Sequence, residues 1–326
     1  MDPRATTQRR TAARRPLYKY FKDSRRTAVD VVVDVDKARA VAEIAGRLGL
    51  RRDTYDDGRL YPPRSDPRED QLAFFTAMVA VDHRTSTPLG PFEGYIDGEF
   101  YHGADALWRL GRKAYDEGLF KAERLAELTP REAERLFSIG DLKVWDFHVR
   151  LFLLRDLGKK ALRAGGFEAL IPDAVSEMVE RLRRIRAYED PVGKKALLLA
   201  KFLDGRGLVK FKDPENFDVP VDNHLSRIAY RLGIADVDYR QLFEGLELSR
   251  EEDAEVRQKV KLAWRLVAKF SGVDPFTLDD FLWSFGRRVC TREAPKCGQC
   301  PFRSVCKANG LGQYPPEHSH QLTWYY

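Results

Sequence analysis

What this chain has little of narrows it first. Its 326 residues hold four cysteines and three methionines. Disulfide-dense secreted scaffolds run above roughly 8–10% cysteine, so that class is excluded. No apolar run approaches the ~18 residues that a membrane-spanning helix needs; Ala196-Leu-Leu-Leu-Ala200 is far too short. No secretory leader is recognisable, so a soluble protein of a reducing, cytoplasmic compartment is expected. Repeats and strand-like alternation are both lacking, which predicts a mostly helical chain. Charge of one sign is not in large excess either: 56 Lys and Arg face 50 Asp and Glu, giving +6 and a pI near 9.0. The excess is local. Residues 1–26 carry nine Lys/Arg and two acids, a balance of +7, which leaves the rest of the chain at −1. Such a tail is either an arm for a polyanion or a disordered solubilising end. Any basic face on the body must come from asymmetry.

The four cysteines fall together, as Cys290, Cys297, Cys300 and Cys306, spaced C-x6-C-x2-C-x5-C. Converging thiolates mean a metal centre or a pair of disulfides, and a reducing compartment favours the metal. Four-cysteine zinc sites usually use two C-x2-C knuckles, and this loop has one. An iron–sulfur cluster is also held by four cysteines, and its larger core suits wider, uneven spacing. Iron–sulfur is the expectation and zinc the alternative.

Periodicity supplies the elements. Val29 to Val35 reads as a strand, Asp36 as an N-cap, and Val41, Ile44, Ala45 and Leu48 as one face of a helix ending near Gly49. Gln71 to Val81 is apolar nearly all round, which predicts a buried central helix. Residues 87–103, rich in glycine and aromatics, suggest a hairpin around Asp97-Gly98. Tyr95, Phe100, Tyr101 and His102 there either stack on a base or pin the loop to the core. Helical patterns return at 104–117, 130–137, 141–164 and 173–187, and again from Val256 to Phe270 and Leu278 to Phe285.

Two further stretches carry chemistry. Tyr188-Glu-Asp-Pro-Val192-Gly193-Lys194-Lys195-Ala196 resembles the second half of a helix-hairpin-helix, with Pro191 in place of the first glycine and Glu189 and Asp190 as added acids. Val221-Asp222-Asn223-His224-Leu-Ser-Arg227-Ile-Ala-Tyr-Arg231-Leu-Gly233 follows. With Asp280-Phe-Leu-Trp-Ser-Phe-Gly286-Arg-Arg-Val-Cys290 and the cysteine loop, these motifs resemble endonuclease III-like helix-hairpin-helix DNA glycosylases that carry a [4Fe-4S] cluster. The likeness covers about residues 36–306 and is thin from 87 to 187.

The resemblance implies an all-α, two-lobed fold with a C-terminal iron–sulfur loop. Its parts would be a basic tail (1–28), an N-terminal strand and helix (29–65) and a helical barrel (66–212, hairpin at 188–196). A cluster-side lobe (213–289), the loop (290–306) and a tail (307–326) would complete it. It implies base flipping and N-glycosidic cleavage on duplex DNA. Asp222 would stabilise the sugar cation, unless it is only an N-cap, or both. Lys195 would be the Schiff-base nucleophile in a bifunctional enzyme, or merely a helix-start lysine. Val192, Gly193 and Lys194 would hold phosphate, His83 would fill the gap left by the flipped base or act as a helix C-cap, and Arg287, Arg288 and Lys296 would face DNA. Cys290, Cys297, Cys300 and Cys306 would ligate the cluster. A nucleoid-associated, cytoplasmic monomer is expected. The alternatives are an N-glycosidase for a modified nucleoside or nucleotide and a non-catalytic DNA-binding paralogue.

Overall fold

The computed structural model describes residues 29–87 and 90–326. The basic tail, with Pro88 and Leu89 of the 87–103 segment, lies outside the described residues. Among those described, thirteen α-helices and four two-stranded pairings form the chain. None of these helices is long and apolar enough to cross a membrane.

Strand β1 (Val32–Val33) pairs antiparallel with β8 (Ala235–Asp236), tying the start of the described chain to its second half. Helix α1 (Val35–Arg47) begins two residues earlier than expected. Its N-cap is Asp34, not Asp36, and the Asp34 carboxylate accepts from Lys37 N at 2.9 Å. The apolar helix α2 (Arg68–Val81) is buried at every position from Gln71 to Val81, as a stripe with no polar face requires. After a short pair, β2 (Ser86–Thr87) with β3 (Gly90–Pro91), the hairpin expected at Asp97-Gly98 is β4 (Glu93–Ile96) with β5 (Glu99–His102), both turn residues having positive φ.

Helices α3 (Ala104–Asp116), α4 (Ala122–Ala126) and α5 (Pro130–Phe137) follow, the last with a Thr129/Glu132 capping box. A short pair, β6 (Ser138–Ile139) with β7 (Leu142–Lys143), takes the place of the expected first turn of the next helix. That helix, α6, runs Phe147–Ala164. Then come α7 (Val175–Leu182), α8 (Lys194–Gly205), α9 (Asn223–Leu232), α10 (Tyr239–Glu244), α11 (Arg250–Ser271), α12 (Pro275–Arg288) and α13 (Lys307–Leu311).

Two hydrophobic cores result. The first gathers residues from Tyr55 to Phe217, with α2 at its centre, and borrows Phe276 from α12. The second joins α1 to residues Val219 through Ala308, around Trp264 of α11. Between them run buried ion pairs. Lys201 of α8 reaches Asp279 and Asp280 of α12 at 2.6 and 2.9 Å, and Asp190 meets Arg257 of α11 at 2.7 Å. Partners this well desolvated cannot be separated cheaply, so the cores are clamped where α8 and the turn before it meet α12 and α11.

The fold class needs one correction. Two mostly helical lobes are present, but the iron–sulfur loop is not. Among the described residues no three or more His, Cys, Asp or Glu side chains are arranged to hold a metal ion. All four cysteines are free. They line one small cleft with Arg231, Phe285 and Tyr314; its volume of about 20 Å³ is room for roughly one water. Cys306 Sγ donates to the Arg231 carbonyl at 3.1 Å, and an Arg231 N–H points at Cys290 Sγ. Burial pushes the Cys300 thiol up to about 11 and the Cys306 thiol up as well, so in the metal-free loop both carry their protons. Cys290, Cys297, Cys300 and Cys306 are therefore thiols of a packed loop, and the expected [4Fe-4S] cofactor and the zinc alternative both fall.

Candidate active site

Helix α8 places two adjacent lysines on different sides. Gly193 is its N-cap with φ +76°, a left-handed conformation that leaves the following residues free to start the helix. Lys195 turns into the first core. It is fully buried, and its Nζ donates to the Ala80 carbonyl at 2.5 Å and lies 3.1 Å from His83 Nδ1. Burial drives its amine far below the ordinary lysine value, helped by the charges of Lys194 and Arg150. The neutral amine that a Schiff-base nucleophile needs is thus present, but its reach is spent on the end of α2.

His83 is equally enclosed. Its Nε2–H donates to Asp146 at 2.7 Å, which leaves Nδ1 to accept from Lys195. Burial, then the charge of Arg150, hold it well below the usual histidine range and so neutral. The side chain is 0% exposed. The side chain expected to fill a gap in DNA thus lies packed inside the protein, as part of the mount of α2. Arg150, also buried, completes that mount by donating to the carbonyls of Val81 and His83 and to Asp146.

Lys194 lies about 100° round the helix from Lys195. Lys201, two turns on from Lys194, shares its face, and Lys201 is the residue that crosses to Asp279 and Asp280. Lys194 therefore looks toward the second lobe. Its Nζ has no hydrogen-bond or ion-pair partner among the described residues, and its charge acts on Asp222.

Asp222 caps α9, accepting from Leu225 N at 3.0 Å through Oδ1. His224 Nδ1 stands 3.5 Å from Oδ2. Burial alone would raise this carboxyl. His224, Lys194 and the Leu225 N–H outweigh burial and hold it well below the usual carboxylate range. Its side chain keeps 17% exposure. Asp222 is thus an N-cap whose carboxylate is ionised and still partly exposed. Gly286 fits this corner because a Cβ there would stand 3.2 Å from His224 Cβ and Ile228 Cδ1. Asp279 adds a third carboxyl within the field of Asp222. Burial first, with Asp280 and Asp222 adding and Lys201 opposing, leaves it raised to about 6.

The hairpin differs most from expectation. Its amide donors are turned inward, onto its own aspartate. Asp190 accepts from Val192 N at 3.1 Å and Lys194 N at 2.9 Å, and its carbonyl takes Gly193 N at 2.9 Å. An internal carboxylate therefore satisfies donors on which a phosphate contact would draw. The amides of Val192, Gly193 and Lys194, expected to meet phosphate, are thus bonded within the turn. Arg287 bridges to Asp105 at 2.8 Å and is only half free. Arg288 and Lys296 are exposed, on the α12 end and the cysteine loop.

Sequence reasoning missed the open face of Lys194 and took Asp190 only as an added acid. Helical spacing held the first signal, since Lys194 and Lys201 are seven apart. The second needed Arg257, which lies 67 residues downstream of Asp190.

Residues 204–313, the part containing Asp222 and the cysteine loop, match the family model AGOG, described as N-glycosylase/DNA lyase. Over 248 residues the chain is 27% identical to Protein ROS1C of Oryza sativa subsp. japonica, covering 71% of this chain and 13% of that protein. It is 30% identical over 156 residues to the DNA glycosylase/AP lyase ROS1 of Arabidopsis thaliana, covering 46% of this chain and 11% of that one. The chain thus spans a small fraction of these relatives. The 8-oxoguanine DNA glycosylase Pa-AGOG from Pyrobaculum aerophilum, solved with 8-oxoguanosine, aligns over 88% of this chain and 100% of its own at 17% identity and a TM-score of 0.48, a likeness too slight to carry a claim.

Proposed function

We propose that this chain is a DNA N-glycosylase that removes a damaged or mismatched base, with a lyase step carried by Lys194. The observation that supports it most is the pairing of an ionised, partly exposed Asp222 with the unpartnered amine of Lys194. Breaking an N-glycosidic bond leaves positive charge on the sugar, and a fixed carboxylate lowers the energy of that state. Asp222 is held in place by Leu225 N, so it spends nothing on reorientation. Lys194 gives up one proton, relayed by Asp222 to the departing base, as the C1′–N bond breaks and the bonding pair leaves with the base; its neutral Nζ then attacks C1′. Loss of a proton from nitrogen and opening of the sugar ring give the imine. The base would be flipped out of the duplex to reach this cleft, and exposed Arg288 and Lys296 would meet the phosphates. The enzyme would act as a monomer on nucleoid DNA in the cytoplasm.

The test is base release from duplexes carrying a panel of damaged bases. Asp222→Asn should lower the single-turnover rate by about 100-fold or more; an unchanged rate would mean a non-catalytic DNA-binding protein.

One observation favours a second reading. The hairpin amides are already satisfied by Asp190, which suits an N-glycosidase for a free modified nucleoside. Affinity for duplex DNA that falls steeply between 50 and 200 mM salt supports the first reading. Salt-insensitive binding with release of base from nucleosides supports the second.

A further inference from the structure

The segment from Pro315 to Tyr326 lies across both lobes. Trp324 Nε1 donates to the Arg186 carbonyl of the first lobe at 2.9 Å, and residues 319–321 run beside Leu248 of the second, with Leu248 N donating to the Ser319 carbonyl. Its buried side chains end on one carboxylate. Asp253 of α11 receives Tyr326 Oη at 2.5 Å and His318 Nε2 at 2.8 Å on the same oxygen. The other oxygen of Asp253 receives Arg257 Nε at 3.0 Å, one turn along. Arg257 then gives both terminal nitrogens to Asp190, at 2.7 and 3.0 Å, and stands 4.3 Å above the Tyr326 ring. Asp190 in turn holds the amides of Val192 and Lys194. On the other side, His318 Nδ1 accepts from Tyr230 Oη at 2.8 Å, and Tyr230 lies on α9, the helix that Asp222 caps. Every member from Asp190 to Tyr230 is at least nine-tenths buried.

This is one continuous path of hydrogen bonds. It runs from the mount of Lys194 to the mount of Asp222, and it passes through a segment that touches neither. Buried networks of this kind fix geometry when every member is satisfied. We infer that His318 and Tyr326 are positioning residues: they set the distance between the Lys194 amine and the Asp222 carboxylate by locking Asp253, Arg257 and Asp190. The inference rests on the proposed function for its catalytic reading, though not for its structural one. Gln258 and Lys261, on the same face of α11, support the mount by donating to the carbonyls of Pro191 and Val192.

The experiment uses the full chain and Tyr326→Phe, which removes one hydroxyl and keeps the ring over Arg257. Tyr325→Phe is the control, since its hydroxyl makes no hydrogen bond to any member of the path. Three quantities are read: the rate of borohydride-trapped adduct on saturating damaged duplex, duplex affinity, and hydrogen exchange at the Val192 and Lys194 amides. In Tyr326→Phe the trapping rate should fall about tenfold with affinity unchanged, because misplacement by a fraction of an ångström acts on the chemical step. The two amides should exchange at least about tenfold faster while the rest of α8 keeps its protection. His318→Gln should do the same, and Tyr325→Phe should do neither. Unchanged exchange at both amides overturns the inference. So does a loss of trapping that merely follows global unfolding. If the wild type traps no duplex at all, the functional reading fails; faster exchange in Tyr326→Phe then still establishes the brace, and unchanged exchange removes that too.

Discussion

The turn at 188–195 and the loop at 290–306 are the two stretches whose spacing points hardest to a bound group, and each keeps its polar atoms for the protein. In the turn, a carboxylate two residues ahead of Val192 takes the amides that a phosphate would otherwise meet, and Arg257 neutralises that carboxylate. In the loop, thiols face one another across a cleft the size of a water, with Arg231 bonded to both ends of the set. The difference lies in the depth of burial. The turn is sealed by a charged network with nothing to spare, whereas the loop's cysteines are all part-exposed. Residue spacing reports the path of the backbone. It does not report which group satisfies the donors along that path.

The comparison breaks most sharply at Asp190. Asp190→Ala leaves Arg257 with one partner fewer and two buried amides unmet, and should cost about 3–5 kcal/mol in chemical denaturation. A cost under about 1 kcal/mol would mean that the turn is no more firmly held than the loop. A smaller loss is expected at Lys195→Met. There the Ala80 carbonyl and His83 lose their donor, and stability should fall by about 1–3 kcal/mol while the trapping rate per folded molecule is kept.

The loop half is sharpened by metal analysis of protein purified without oxygen. No stoichiometric iron or zinc is expected, and Cys297→Ser should shift stability by less than about 0.5 kcal/mol. Stoichiometric metal that disappears in Cys297→Ser would reverse the correction made for the loop.

The smallest effect is in pH. The Asp279 carboxyl, raised from 3.8 to about 6, binds a proton more tightly folded than unfolded. Its contribution to stability is present below pH 3.8 and is lost as pH rises through 6. Asp279→Asn should flatten that part of the stability curve, and an unaltered curve would show that Lys201 keeps Asp279 charged throughout.

Much of the fold was legible because burial writes itself in periodicity. The all-apolar stripe from Gln71 to Val81 predicted a central helix, and the Asp97-Gly98 pair predicted its hairpin. Asp222 was legible for the same local reason, since an aspartate ahead of an amphipathic run caps a helix. What stayed hidden depends on partners far along the chain. Asp190 looked repulsive until Arg257 stood beside it, and His83 looked like a polar tip until Asp146 and Lys195 closed over it. The choice between Lys194 and Lys195 rested on helix phase, which the glycine at 193 determines by where it lets α8 begin.

The central claim is that Lys194, and not its neighbour, faces Asp222. Borohydride trapping of the wild type, Lys194→Ala and Lys195→Ala on the same damaged duplex tests it most directly. The adduct should vanish in Lys194→Ala and persist, with the same attachment site by peptide mapping, in Lys195→Ala. An adduct mapped to Lys195, or one that survives in Lys194→Ala, would contradict it.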